Sequence, residues 1–576
     1  MSYYNELIDR LYSLGMLPAR ARKKLDPEER ERIARIALSK LDNGLAEKLR
    51  SSGVLIVYPS HFYTPKISIE EYLGISIPEV KPKEKKRKKN GEAKKRSSID
   101  ITRYLPEEPI EPIVIKKKKR KQRNLSIKPE PFSRDVFLLR NHTELPKLRR
   151  DHLRLRLKLA RKIAKASGYI DGVKIKDVKR YLTEGNARGP LDEILGLSTT
   201  QFEGEGRIVG LVYEKRSVKN GFIVTIEDEE GMLDIFVPKD LAPKPNTLKT
   251  FYMPSGEIVS FGDLIIPDEA IYVKVKEKNG RLIAEDVARP GEVLAYITKN
   301  TYGSEFYQDR DFSVLFISDT HVGSKNSIAR KLKRLRRRIS NPKEAPEAYR
   351  ELLSKVEYVL VGGDLVDGVG VYPGQEKELE IIDPEKQYIA FGELFADCPV
   401  EVIAIPGNHD PTTTVIPQPV PEDALVLKEY GIKITQNPAR VEIDGLRIAL
   451  YHGRSMEDLV LYTPITLQDV KQLMKRIVLS NFYVPIYGGK EAFRPDPKDP
   501  LAIAKGPEDY PHVIFMGHIH IAAYTSFGPA RLINGGTTQT QPEEKVMNIE
   551  PTPGVFVGLD LRRFRPMEIS ILRELF

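Results

Sequence analysis

A chain of 576 residues, 40% hydrophobic and 30% charged, is too long for one core; at about 100–200 residues per domain it reads as a soluble protein of three or four units. No run of about 18 apolar residues is uninterrupted, and a single cysteine, Cys398, excludes a disulfide framework and a thiolate zinc cage and reads as core filler. The formal net charge of +11 is concentrated, because residues 81–123 carry 18 Lys/Arg against 6 Asp/Glu and leave the remainder close to neutral.

Over residues 1–75, Asp26-Pro27-Glu28-Glu29 places an N-cap acid, a proline at the first helical position and an acid at the third, just before the periodic run RIARIALSKL. This predicts a small helical domain. The start MSYYNELIDRLYSLG has no apolar core before a small-residue cleavage site, so no secretory signal is read and an intracellular location is expected. Residues 76–135 combine prolines with KPKEKKRKKN and KKKKRKQR and hold too little apolar surface to offset chain entropy. A flexible basic linker is expected there, a solvated tether whose Lys117 and Lys119 are also candidates for holding nucleic-acid phosphates. Helical spacing in KLRRDHLRLRLKLARKIAKASG predicts a basic helical segment within 136–195.

From 196 to 300 the periodicity changes to two, with Asn220-Gly221 and Asn279-Gly280 as expected tight turns. Several short strands in so few residues fit a small barrel, for which the oligonucleotide-binding type is the first choice. Among its aromatics, Tyr213, Phe222, Phe236, Phe251 and Tyr272, most are expected in the core and any on an open face would stack on bases.

Residues 301–576 alternate helical stretches with the apolar runs SVLFIS, YVLVGG, VEVIAIPG, LRIALYHG and HVIFMGH, the pattern of an α/β domain whose strands are covered on both faces. Polar residues cluster just beyond these runs, where open α/β sheets place their ligands. They are Asp319 and His321, Asp364 and Asp367, Asn408, His409 and Asp410, His452, and His518 and His520. One histidine beside a strand is usually structural, but five of the nine at equivalent strand ends, interleaved with Asp and Asn, are not explained by packing. Imidazole and carboxylate together suit borderline divalent cations, and in Asp-x-His or His-x-His on a strand end both side chains point the same way. Gly362, Gly363, Gly407 and Gly517 are expected to free the backbone for tight turns. Two cations about 3.5–4 Å apart, bridged by a carboxylate, activate water and neutralise an in-line phosphoryl transition state, so phosphate-ester hydrolysis is the expected reaction.

The ordered set D-x-H, GD-x-x-D, GNHD, H-G and GH-x-H resembles the calcineurin-like metallophosphoesterase superfamily over residues 310–560. The resemblance implies one ion held by Asp319, His321 and His520, a second held by Asn408, His452 and His518, and Asp364 bridging both. It implies His409 as an unliganded general acid oriented by Asp410, with Asp367 equally a surface or a supporting residue. A basic linker, a barrel and then a phosphoesterase domain resembles the small-subunit family of archaeal D-family DNA polymerases. The B subunits of eukaryotic replicative polymerases share this plan but have lost metal ligands, whereas here every ligand position is filled.

That resemblance implies a multidomain α/β plus all-β fold in which a C-terminal calcineurin-like αββα phosphoesterase domain follows an oligonucleotide-binding-type barrel and an N-terminal helical region. It implies 3′→5′ proofreading exonuclease activity with two divalent ions, Mn²⁺ first and Fe²⁺, Zn²⁺ or Mg²⁺ as alternatives. The implied partners are a large catalytic subunit, DNA and a sliding clamp, and the implied location is cytoplasmic and nucleoid-associated. The basic run IARKLKRLRRR over 328–338 is expected on a helix, where Arg334 and Arg337 lie along substrate phosphates or form a solvated face. A non-catalytic scaffold subunit, a stand-alone double-strand-break repair nuclease and a phosphoprotein phosphatase are the competing readings. The basic linker and barrel ahead of the first metal motif weigh against the last two.

Overall fold

The computed structural model describes residues 17–18, 56–57, 123–129, 145–169, 173–184, 202, 204–302, 310–496, 499, 501–540, 549–562, 567–573 and 575. The expected helical domain and most of the expected linker, including Lys117 and Lys119, lie outside the described residues. The chain separates into two compact units, one of residues 1–113, 133–147 and 369–379 and the other of 114–132, 148–368 and 380–576. In the first, Leu17–Pro18 pairs in parallel with Ile56–Val57, and Gly374, left-handed at φ 84°, leads into a single turn at Gln375–Lys377. The larger sheets all belong to the second unit.

The end of the expected linker is a strand, β1 (Leu125–Pro129). Arg123 just before it is tied to Glu357 and Asp444 and lies 4.2 Å from the centre of the Phe312 ring, so part of the basic run is structural, contrary to the tether reading. The basic segment forms two helices, α1 (Leu145–Ala166) and α2 (Ile175–Glu184). Although α1 is basic, its His152 and Arg156 are wholly buried. Arg156 donates to the carbonyls of Val484 and Pro485, both at 2.7 Å, and stacks against Phe482 and Phe493; the guanidinium carries enough donors to satisfy a loop that would otherwise bury bare carbonyls.

Five strands, β2 (Glu205–Val218), β3 (Gly221–Asp228), β4 (Gly231–Pro238), β5 (Ala270–Lys278) and β6 (Arg281–Ala288), close into a barrel in the order β2-β3-β4-β6-β5. Alternate residues such as Ile208, Val224, Ile226, Ile235 and Val273 fill it. Asn279 and Gly280, at φ 53° and 74°, make the expected turn. The first turn is displaced by one residue from expectation: Lys219 and Asn220 turn while Gly221 pairs with Val218, and a Cβ on Gly221 would stand 2.2 Å from the Val237 carbonyl. Phe251 and Tyr272 are buried, with the Tyr272 hydroxyl donating to Ala160 O, Phe222 and Phe236 are half-buried, and of the five aromatics only Tyr213 is exposed.

Helix α3 (Pro290–Tyr302) leads into β7 (Phe312–Ile317), and a first sheet runs in the order β10-β9-β8-β7-β16-β17. Its strands are β8 (Val356–Gly362), β9 (Glu401–Ile405), β10 (Ile432–Ile434), β16 (Phe556–Leu561) and β17 (Glu568–Leu572), with β7 to β10 parallel. A second sheet, β14-β15-β13-β12-β11-β1, is built from β11 (Ala439–Ile443), β12 (Leu446–Leu450), β13 (Val513–Met516), β14 (Ala522–Phe527) and β15 (Ala530–Gly535). Period-two alternation assigns each residue to a layer. Phe312, Val314 and Phe316 pack with Leu360, Leu450 and Phe515 between the sheets, whereas Leu315, Ile317, Val359 and Val361 pack on α4 (Leu332–Ser340), α5 (Glu347–Lys355) and α6 (Pro384–Phe395). On the far side Ala449, Ile514 and Met516 meet α8 (Val470–Ser480), and α7 (Met456–Tyr462) follows β12. The C-terminal part is therefore an αββα sandwich, each buried large side chain contributing about 1.5–3 kcal/mol.

Barrel and sandwich are fastened by a buried ion triad. Glu269 accepts from Arg289 at 3.2 Å, from Arg476 of α8 at 2.7 Å and from Ser480 at 3.3 Å, all wholly buried. Among the described residues no helix is long and apolar enough to cross a membrane.

Candidate metal centre

Strands β7, β8 and β9 of one sheet and β12 and β13 of the other end at the same edge, so loops more than a hundred residues apart meet there. The turns after them are tight enough to force Asp319 (φ 53°), His321 (45°), Asp364 (49°), His518 (71°) and His520 (60°) into the left-handed region. Such conformations cost about 1–3 kcal/mol each for a residue with a side chain. Backbone bonds hold them: Asp319 N–H donates to Gly363 O and His321 N–H to Asp364 O, both at 3.0 Å, while Thr537 Oγ1 donates to Asp319 O at 2.8 Å. The glycines act mostly through size and not through turn freedom. A Cβ on Gly407 would lie 2.3 Å from Asp364 Oδ1, and one on Gly517 would lie 1.9 Å from Ser318 Oγ.

Three groups of ligand atoms, each within 4.8 Å, result: Asp319 with His321 and His520, Asp364 with His452 and His518, and, toward the rim, His321 with Asp367 and His409. Asp364 Oδ2 stands 3.7 Å from His321 Nε2 and 3.4 Å from His452 Nε2, between the first two. Asn408 Oδ1 is 2.9 Å from His452 Nε2, which places it with the second group. All seven expected ligands are thus brought together. The residues fit a cation on two counts. Asp319 Oδ1 is buried without a hydrogen-bond partner, and His321 Nε2 faces His520 Nε2 at 3.1 Å, an approach of two ring nitrogens that suits a shared cation.

Each inner imidazole is fixed from behind. His452 Nδ1 donates to Gly362 O at 2.9 Å, His321 Nδ1 is 2.8 Å from Asp367 Oδ1, and His518 Nε2 is 2.5 Å from Glu457 Oε1. Asp367, which sequence left between surface and support, is wholly buried and supports. Glu457 was missed; it lies in a helical turn with no periodic link to residue 518, and only its closeness to His452 in the chain was a signal.

Burial pushes His321 and His518 down, toward the neutral imidazole that ligates. Burial also lowers His452, but Asp364 beside it outweighs that and raises it to about 10, so a cation arriving there competes with a proton. Asp364 itself is held well below the usual carboxylate range, because the surrounding histidines His452, His409 and His321 outweigh its burial.

His409 sits at the rim, its side chain 16% exposed. Its backbone N–H donates to Asp364 Oδ1 at 2.7 Å and its Nδ1 to Asp367 O at 3.0 Å. Burial opposes its charge, Asp364 and Asp367 more than offset burial, and its pKa rises to about 9. The expectation that Asp410 orients this ring is not met. Asp410 turns inward, accepting from Gly407 N at 2.7 Å, Leu365 N at 3.1 Å and Tyr388 OH at 2.6 Å, so it locks the two motif loops together while Asp367 holds the ring. Burial, with Asp364 nearby, raises Asp410 to about 7.

Helix α4 buries Leu332, Leu335 and Ile339 and exposes both Arg334 and Arg337, the latter paired with Glu344 at 2.5 Å. Neither arginine is among the ligand groups. Cys398 is half-buried at the edge of the core beneath α6.

Residues 312–522 match the calcineurin-like phosphoesterase family, so the sandwich has the calcineurin-like phosphoesterase fold, and its His/Asp clusters carry the donors that a divalent metal takes. Over 371 residues the chain is 32% identical to the DNA polymerase II small subunit of Methanothermobacter thermautotrophicus, covering 63% of this chain and 71% of the relative. The small subunit of Pyrococcus furiosus is 32% identical over 67% of this chain and 60% of its own length, and that of Halobacterium salinarum is 32% identical over 62% and 66%. The chain thus spans less than two thirds of these last two. Similarity over most of the Methanothermobacter protein, joined to a phosphoesterase match laid over the ligand-bearing strands, means that this chain belongs to the family of archaeal DNA polymerase II small subunits.

Proposed function

We propose that this chain is the 3′→5′ proofreading exonuclease and accessory small subunit of a D-family replicative DNA polymerase, hydrolysing DNA phosphodiester bonds at a site for two divalent ions. One observation carries the reading: the seven expected ligand positions are all filled and converge, with His409 beside them at the rim, grouped with His321 and Asp367. Asp319, His321 and His520 would hold one ion, Asn408, His452 and His518 the other, and Asp364 both. Bound there, the ions, Mn²⁺ first, supply activation of water and charge neutralisation on the phosphoryl group.

The chain's own residues do the rest. Asp367 accepts the Nδ1 proton of His409, which leaves Nε2–H to be given to the departing 3′ oxygen, the role of a general acid. Asp410 keeps the loops of Asp364 and His409 in register through Leu365 and Gly407. Arg334, with Lys117 and Lys119 of the basic run, would hold substrate phosphates, and the barrel, whose strand order suits an oligonucleotide-binding fold, presents Tyr213 for stacking. The partners of this reading are a large catalytic subunit, DNA and a sliding clamp, at the nucleoid.

The test is degradation of 3′-labelled single-stranded, paired and mismatched DNA by the Mn²⁺-loaded chain, with Asp364→Ala as control. Metal-dependent loss of the 3′ end in wild type alone is expected. No cleavage by wild type in any metal would leave a scaffold subunit in place of an enzyme.

A further inference from the structure

The motifs that define the site say nothing of what stands behind His518. Glu457, in the first turn of α7, places one carboxylate oxygen 2.5 Å from His518 Nε2, and the other takes Lys490 Nζ at 2.7 Å. Lys490 is itself anchored. Asp458 accepts the backbone N–H groups of Lys490 at 2.5 Å and Glu491 at 3.1 Å, and Gly489 passes so close that a Cβ there would be 2.5 Å from the Asp458 carboxylate. Farther back on the same loop, Tyr487 N–H donates to Asp268 of the barrel at 2.9 Å. A ring nitrogen of His518 lies within 4.8 Å of ligand atoms of Asp364 and His452; since Glu457 claims Nε2, Nδ1 is the nitrogen left to face them.

We propose that Glu457, backed by Lys490, is a positioning residue for the second ion: it holds the proton of His518 on Nε2 and so turns the Nδ1 lone pair toward Asp364 and His452. The proposal rests on the two-ion reading of the site. A carboxylate behind an imidazole selects the tautomer, fixes the ring plane and raises the basicity of the far nitrogen. His321 and His452 obtain the same service from Asp367 and the Gly362 carbonyl, so with Glu457 behind His518 three of the four expected histidine ligands are held in this way. Glu457 lies five residues after His452, and a single loop-and-helix start therefore delivers one ligand and orients another.

The experiment titrates the full-length Glu457→Gln chain with Mn²⁺ beside wild type, and reads the His518 tautomer in the metal-free proteins by nitrogen NMR of labelled histidine. Wild type should take up two ions. The variant should keep one and bind the other about 10–100-fold more weakly, with the Nε2–H signal of His518 lost. Unchanged uptake by Glu457→Gln, or equal weakening of both ions, overturns the proposal. Should Glu457→Gln not fold, Lys490→Met takes its place, with a smaller weakening of the same single ion expected and unchanged affinity overturning the idea. If wild type binds no ion, the two-ion reading fails on its own, and the tautomer still decides: an unaltered His518 signal in Glu457→Gln removes Glu457 from the role.

Discussion

His409→Ala separates the chemistry of the site from its construction. What this residue gives the ligand cage is its backbone N–H, 2.7 Å from Asp364 Oδ1, and alanine keeps that bond. What the ring gives is a bond from Nδ1 to Asp367 O at 3.0 Å and an edge contact with His321, centroids 4.6 Å apart. Losing one partly exposed hydrogen bond costs about 1 kcal/mol, too little to unfold the domain. Losing a general acid costs about 10²–10⁴ in rate, or about 3–5 kcal/mol of transition-state stabilisation. The variant should therefore carry two ions per chain and cleave a 3′-labelled oligonucleotide that much more slowly in single-turnover assays. The deficit should shrink on a nitrophenyl ester of thymidine monophosphate, whose leaving group needs no proton. An acid must be protonated to act, so wild-type turnover should fall as pH rises, on a limb at or below about 9, and the variant should lack that limb. Empty ion sites in the variant, or the same deficit on both substrates, would refute the assignment.

Gly407→Ala should abolish binding of both ions while leaving the circular dichroism of the fold, because the new Cβ would press on Asp364 Oδ1 at 2.3 Å and Asp364 N at 2.5 Å, at an overpacking cost of about 1–3 kcal/mol; calorimetry showing wild-type uptake would contradict this. Glu269→Gln strands two buried guanidinium groups and should cost roughly 3–5 kcal/mol in urea unfolding; a loss under about 1 kcal/mol would mean that the triad does not clamp barrel to sandwich. His152 and His512, both pushed down to about 3 by burial first and then by neighbouring arginines, stay neutral when folded while the unfolded chain takes up protons below about 6.5. Stability should thus be full above that pH and fall between 6.5 and 3, by up to about 1.4 kcal/mol per pH unit for each, and a double variant with Gln at both positions should flatten the slope measured between pH 7 and 5. Stripping metal with a chelator should leave a cooperative thermal transition, lowered only by the lost binding linkage, because the sheets and not the ions shape the loops; collapse of the sheet signal would contradict it.

How much of this was legible in the sequence depends on what each residue answers to. Strands β7, β8, β9, β12 and β13 were readable because a parallel strand covered on both faces must be apolar throughout, and their ligands because open sheets carry them past the strand ends. That two separate sheets supply them is a packing fact no single run contains. Asp410 misled through adjacency: beside His409 in sequence, it is sent inward to Tyr388 while the histidine faces out. Composition cannot tell a solvated cation from a partnered one: Arg156 is buried for its donors, and Arg337 pairs with Glu344 at the surface. Gly221 was read as a turn residue, but the Val237 carbonyl that excludes a Cβ there comes from β4, outside the hairpin that the turn closes.

The left-handed residues connect these levels. Asp319, His321, Asp364, His518 and His520 break local preference together, and each is an expected ligand. Asp, Asn and His are the side chains that enter this region most readily and are also the oxygen and nitrogen donors that divalent ions take, so one choice of residue satisfies the turn and the cation. Glycine would relieve the turn without binding, and a larger ligand such as glutamate would bind without relieving it. His409, which is expected to meet substrate and no ion, has an ordinary backbone. Strain thus follows the turns that carry five of the seven expected ligands, Asn408 and His452 keeping an ordinary backbone as His409 does, and the D-x-H and H-x-H spacings are as much a signature of the turns that end β7 and β13 as of the expected ions.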